Sequence, residues 1–161
     1  MQTRFNRPEH TWDEATWAAY DATFAYCRAN GLELRDYGDY FEVYEPTLDD
    51  KRAAKKHEIA AARYEAETGG CTVDGVTIAT DRGSQALLTA AVVTARLDPT
   101  FSTRWKCADG HFVTLDAMQL RAIGDAVTTH VEACFAREGE LCELIDTAQT
   151  PEDLAAIKWG D

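Results

Sequence analysis

Arg63-Tyr64-Glu65-Ala66-Glu67-Thr68-Gly69-Gly70-Cys71-Thr72-Val73-Asp74-Gly75-Val76-Thr77-Ile78-Ala79-Thr80-Asp81-Arg82 decides the fold. A polar helix ends in it, a tight hairpin follows and a second helix begins. Gly69-Gly70 supplies the left-handed residue that a helix end wants, because glycine takes positive φ without a Cβ clash. Val73-Asp74-Gly75-Val76 predicts a two-residue type I′ turn between β-branched residues. Thr80 or Asp81 is placed to cap the next helix. The arginine at position 82 is expected to pair with a carboxylate and lock hairpin to helix.

Working back from this stretch, Thr47 to Thr68 predicts one long helix opening Leu48-Asp49-Asp50. It is mostly alanine and charge, with Ile59 and Tyr64 its only large apolar side chains after the first turn. Lys51, Arg52, Lys55, Lys56 and His57 cluster near its start. Such a helix reads as a solvated connector; the alternative is a docking or self-association helix whose basic cluster meets acid on a neighbouring copy. Before it, residues 1–10 form a loose lead-in. Thr11-Trp12-Asp13-Glu14 has the capping-box pattern, and Trp17, Tyr20, Phe24 and Cys27 then lie along one helical stripe. Leu32-Glu33-Leu34 and Tyr40 to Tyr44 alternate around Asp36-Tyr37-Gly38-Asp39, a hairpin. Residues 1–46 thus make a small helix-plus-hairpin unit, and residues 47–161 a second domain.

Working forward, Gln85 to Leu97 is apolar almost all round and is expected to be central and buried. Thr103 to Cys107 and Phe112 to Leu115 flank the turn Ala108-Asp109-Gly110-His111. Asp116 with Gln119 opens the longest helix, to about Ala148. Leu120, Ile123, Val127, Val131, Cys134, Leu141 and Ile145 line one side of it, in a bundle-like seam. Its other face carries Asp125, Glu132, Glu138, Glu140, Glu143 and Asp146 against Arg137. Gly124 and Gly139 weaken it by about 1 kcal/mol each relative to Ala. Thr150-Pro151-Glu152-Asp153 starts a short terminal helix. The fold class is α+β and predominantly helical, with three short β-hairpins alternating with helices.

Composition narrows the function. The net charge is −12, with 9 basic and 15 acidic residues in 1–80 and 7 and 13 in 81–161, so the acidity is no tail. Phosphate binding needs clustered Lys and Arg, so free nucleic acid is not an expected ligand. Apolar runs are too short for a membrane span, and no secretory signal follows Met1. Five widely spaced cysteines without a C-x-x-C pair read as reduced, mostly buried small hydrophobes.

No catalytic constellation emerges. Gly83-Ser84 lacks the second glycine of a nucleophile elbow, and Ser84 suits the helix start. Cys107 and His111 share a hairpin but lack a partner pair for a closed metal site. His130 falls among apolar positions, where it reads as a satisfied core histidine. No catalytic residue, cofactor or metal is expected. Trp12, Trp17, Trp105 and Trp159 sit at element edges or on apolar stripes and are candidate interface anchors. Gly70, Asp74, Gly75, Asp81, Arg82, Asp109 and Gly110 are candidate structural residues.

One resemblance adds to this. Arg63-Tyr64-Glu65, Thr68-Gly69-Gly70, Gly75, Ile78, Thr80-Asp81-Arg82 and Ser84-Gln85 are followed by Trp105-Lys106, Asp109-Gly110, Phe112-Val113 and Leu115. Gln119-Leu120, Val127, His130-Val131, Cys134-Phe135 and Glu138 continue the series. Together, over roughly residues 50–159, they resemble an uncharacterised domain of tailed bacteriophages and prophages, found among tail, baseplate and tail-fibre-associated proteins. That resemblance implies a virion component or tail-assembly factor acting through protein contacts. Its partners would be other tail or virion proteins or copies of itself, in the virion or in the host cytoplasm during assembly. The rival expectation, drawn from the −12 charge, is an acidic phage-encoded inhibitor of a host defence nuclease that mimics nucleic acid.

Overall fold

A computed structural model describes residues 1–7 and 11–160 of the chain. Two compact units are present, Met1–Ala53 and Ala54–Asp161. The boundary lies within a single long helix.

The first unit contains β1 (Arg4–Asn6), α1 (Glu14–Ala29), β2 (Glu33–Asp36) and β3 (Tyr40–Tyr44). The expected hairpin forms with Glu33 opposite Tyr44 and Asp36 opposite Phe41. Part of the lead-in is ordered rather than loose. Arg4–Asn6 adds an antiparallel strand to β3, Phe5 lying opposite Phe41, so the hairpin becomes a three-stranded sheet in the order β1-β3-β2. Three residues are too few for an alternation pattern to register. Residues 8–10 of the lead-in lie outside the described residues. The cap of α1 is Asp13, not Thr11: its carboxylate accepts the Thr16 amide at 2.7 Å. The apolar stripe of α1 is only partly covered, with Cys27 buried and Phe24 exposed.

In the second unit, α2 (Leu48–Thr68, entering this unit at Ala54) ends at Gly70, whose φ is +93°. A Cβ there would stand 3.0 Å from the Ile78 carbonyl oxygen, so glycine is required twice over, by conformation and by space. β4 (Cys71–Val73) and β5 (Val76–Ile78) pair antiparallel, with Val73 opposite Val76. Asp74 and Gly75 both have positive φ, the type I′ turn that Asp-Gly predicts. α3 (Arg82–Leu97) follows, capped by Asp81, whose carboxylate accepts the amides of Gly83 and Ser84. β6 (Ser102–Lys106) and β7 (Phe112–Asp116) form the second two-stranded sheet. α4 (Ala117–Thr147) starts with a complete capping box between Asp116 and Gln119 and runs unbroken through Gly124 and Gly139. α5 (Pro151–Ala156) is capped by Thr150.

The core of this unit is Ile78, Leu88, Ala95, Leu115, Ala117, Leu120, Ile123 and Val127, with Trp105 and Val131 packed against it. The seam read on α4 faces inward as expected. Gly124 has a use beyond its helix cost: a Cβ there would approach Val92 to 2.6 Å, so its absence lets α3 lie close on α4. Two helix readings need correction. α2 is no freely solvated connector, since Ile59 and Glu67 are buried and it is tied along α4 from Lys56 onward. α3 is not buried all round: Leu88 and Ala95 are covered, but Leu87, Val93 and Leu97 are exposed. A helix supported along one side buries one stripe, whatever its composition.

The Asp81 cap makes this architecture sensitive to acid. The Ser84 hydroxyl and amide, helped by the Gly83 amide, hold the Asp81 carboxyl below its ordinary value. A carboxyl depressed in the folded state stabilises above its unfolded pKa of ~3.9 and loses that contribution as pH falls through the folded value. Asp81→Ala is expected to lower the melting temperature at neutral pH, and its deficit against the native chain should shrink as pH falls through the folded value. Circular-dichroism melts across that range check it; a difference that persists undiminished in acid would remove the cap from the explanation.

Candidate functional site

The stretch that decides the fold also builds its most unusual site, around Glu67. The Glu67 side chain is 0% exposed, in the last turn of α2. An ionised carboxylate in that position must find cations and donors. Arg63, one turn earlier on the same helix, pairs with Glu67 Oε2. Arg82, at the start of α3, brings its Nη1 to 2.9 Å from Oε1. Gln85 Nε2 lies 3.5 Å from Oε1 and donates at 2.7 Å to the Thr80 carbonyl. The expected carboxylate partner of Arg82 is therefore Glu67, and the bond joins α2 to α3 across the intervening hairpin.

The backbone closes round the same point. Buried Thr80 donates its hydroxyl to the Glu67 carbonyl at 2.6 Å and accepts the Gly70 amide at 2.9 Å. One side chain thus satisfies an orphan carbonyl at the end of α2 and the first amide after it. On the far side of Arg63, its Nε donates to Glu138 of α4 at 2.9 Å. Burial disfavours the Arg63 charge, but Glu138 and Glu67 outweigh it and raise the guanidinium pKa above its ordinary value. His130 is half-buried rather than in the core, and its Nε2 meets the Ala66 carbonyl at 3.1 Å. Lys56 with Asp146 extends the tie. Contacts 66–130, 63–138 and 56–146 run in opposite directions, so α2 lies antiparallel to α4. Three acids of α4 are matched by cations from other helices, Arg96 reaching Asp125 at 3.9 Å beside the Arg63 and Lys56 pairs, which a helix-by-helix reading does not supply.

Burial raises the thiol pKa of Cys71, and burial with the Glu67 charge raises that of Cys134, so both favour the unreactive protonated form. Ser84 is bonded to Asp81 at the helix start. Cys107 is buried, whereas the His111 ring is exposed beside Asp109, 3.2 Å away. Among the described residues, no group of three or more His, Cys, Asp or Glu side chains is arranged to hold a metal ion. Asp109 takes the His111 amide, and Gly110 has φ +88°, completing the turn.

The four tryptophans fall two to each unit. Trp12 and Trp17 share a patch in the first unit with ring centroids 4.7 Å apart, joined by Tyr20 and Phe41. Trp12 is half-buried and donates to the Asn6 carbonyl, while Trp17 is exposed. Trp105 packs on the core opposite Val113, and Trp159 lies half-buried after α5. Among the described residues, no helix is long and apolar enough to cross a membrane.

Residues 50–158 match the family described as "Domain of unknown function (DUF4376)". The chain belongs to this family. No curated protein and no solved structure matches it. The matched region holds the whole Glu67 cluster and α3.

Removing Glu67 leaves two facing guanidinium groups, one of them half-buried. Glu67→Ala is expected to destabilise the second unit by about 3–5 kcal/mol. Arg82→Ala should lower the melting temperature less, by at most about 1 kcal/mol, because the Arg82 side chain is 58% exposed. Melts of both single variants and the double variant test the coupling; strictly additive effects would mean that the pair does not interact.

Proposed function

We propose that this chain is a protein-contact module of a tailed-bacteriophage particle, or a factor in its tail assembly, acting without catalysis. The observation that carries the reading is where ionisable groups of the family-matched region go. Arg63, Glu67, Arg82 and Glu138 close on one another and fasten three helices. Large apolar side chains of α3, by contrast, face outward. Internal closure of polar groups with outward display of apolar ones suits a part that works by being packed against. The placement at the tail, baseplate or tail fibre rests on the resemblance.

The nuclease-inhibitor reading draws on the net charge of −12. It needs acids presented together on an open face, and three acids of α4 (Asp125, Glu138, Asp146) are engaged by Arg96, Arg63 and Lys56. We therefore favour the particle reading. Mass spectrometry of purified particles, with co-purification of tail proteins from infected cells, is expected to find the chain or its partner there. Absence from particles with no tail protein captured would sink the proposal. Capture of a nuclease that DNA displaces would put the rival in its place.

A further inference from the structure

α3 carries an apolar seam on its outward side. Ala86, Ala90, Val93 and Leu97 follow one another at spacings of four, three and four, the a/d rhythm of a helix made to lie against another. At 100° per residue they fall within a narrow arc, roughly opposite the stripe of Leu88 and Ala95 that faces the core. Val93 is 53% exposed and Leu97 82%, with Leu87 at 68% on the flank. Ala86 and Ala90 are exposed too. The seam borders an open groove of about 320 Å³ between α3 and α4, lined by Val92, Val127 and Val131.

Two features on this face say what covers it. First, the helix is Arg-Gly-Ser-Gln-Ala-Leu-Leu-Thr-Ala-Ala-Val-Val-Thr-Ala-Arg-Leu and holds no aspartate or glutamate, in a chain with 28 of them and a net charge of −12. Two copies of so acidic a protein repel over most of their surfaces; a helix without acids between its end caps Asp81 and Asp98 lowers that cost, with Asp125 and Glu132 of α4 set back along the neighbouring groove. Second, the seam is graded, small at its start (Ala86, Ala90) and large at its end (Val93, Leu97). Run antiparallel against itself, it sets Leu97 of one copy over Ala86 of the other, and Val93 over Ala90. Large meets small at every level, and the two helix dipoles oppose favourably. A two-fold contact requires this reciprocity.

We infer that α3 is a self-association seam on which a second copy of this chain packs antiparallel about a two-fold axis. This deepens the protein-contact reading above by naming the partner, and does not depend on the phage setting. The seam spans about 17 Å at 1.5 Å per residue. A helix pair of that length buries roughly half of the ~1,600 Å² of a standard interface. The dimer is accordingly weak and concentration-dependent, suited to being reinforced within a larger assembly.

Sedimentation velocity over a wide concentration series, on the full chain, tests it. The native chain should pass from monomer to dimer. Leu97→Glu buries a carboxylate against Ala86 of the partner, and Ala86→Lys buries an ammonium against Leu97, so each alone should weaken the dimer at least tenfold. Both positions face solvent, and melts of the two variants should match the native chain. Mixing the two variants should restore association, because the antiparallel register sets the new Glu beside the new Lys. A native chain that stays monomeric throughout, variants that associate as before, or a mixture that fails to recover would each overturn the seam. A rescued dimer in a chain absent from phage particles would sink only the particle reading. A chain found in particles but indifferent to Leu97→Glu would sink only the seam.

Discussion

A carboxylate with no water to solvate it holds the second unit together. Glu67 is sealed at the end of α2 and answered by Arg63 from its own helix and Arg82 from the next. The gain from such a cluster over a well-packed apolar one is small, since desolvation offsets most of the attraction. Its value lies in direction. An apolar plug would tolerate several rotations of α2 against α3, whereas a carboxylate between two guanidinium groups tolerates one.

That geometry explains why the hairpin must be so tight. Glu67 and Arg82 are separated by a helix end, two three-residue strands and a cap. To bring them within 2.9 Å the chain must reverse at once, and each reversal uses a residue suited to it: Gly70 at φ +93°, Asp74 and Gly75 in the turn. Thr80 fastens the mouth of this loop by bonding both Glu67 and Gly70. The glycines set the path, the threonine shuts it, and the ion cluster fixes the angle at which α3 leaves. α3 then lies closely on α4, helped by the missing side chain at Gly124, and its remaining apolar residues have nothing of their own unit to cover them.

Much of this was legible without coordinates because it is local. The type I′ turn at Asp74-Gly75, the caps at Asp81, Asp116 and Thr150, and the inward seam of α4 follow from side-chain chemistry within a few positions. The cap of α1 was misplaced by two residues because Thr11 and Asp13 offer the same acceptor chemistry. Strand β1 escaped because its identity comes from pairing with β3, some 35 residues on. Glu67 gave a faint signal, an i,i+4 partnership with Arg63 just before the glycines, but the same pattern decorates countless solvated helices.

The sequence by itself determined the elements, their ends and the sharpness of the turns between them, because those depend on φ preferences and hydrogen bonds within one turn of chain. Only the tertiary structure decided which faces are covered. Composition made α2 look solvated and α3 look buried. The arrangement reversed part of each: α2 acquired a buried glutamate because Arg82 of α3 meets it beside its own Arg63, and α3 kept an apolar stripe in water because its unit covers one side of it. Burial is a relation between segments distant in sequence, and no single segment encodes it.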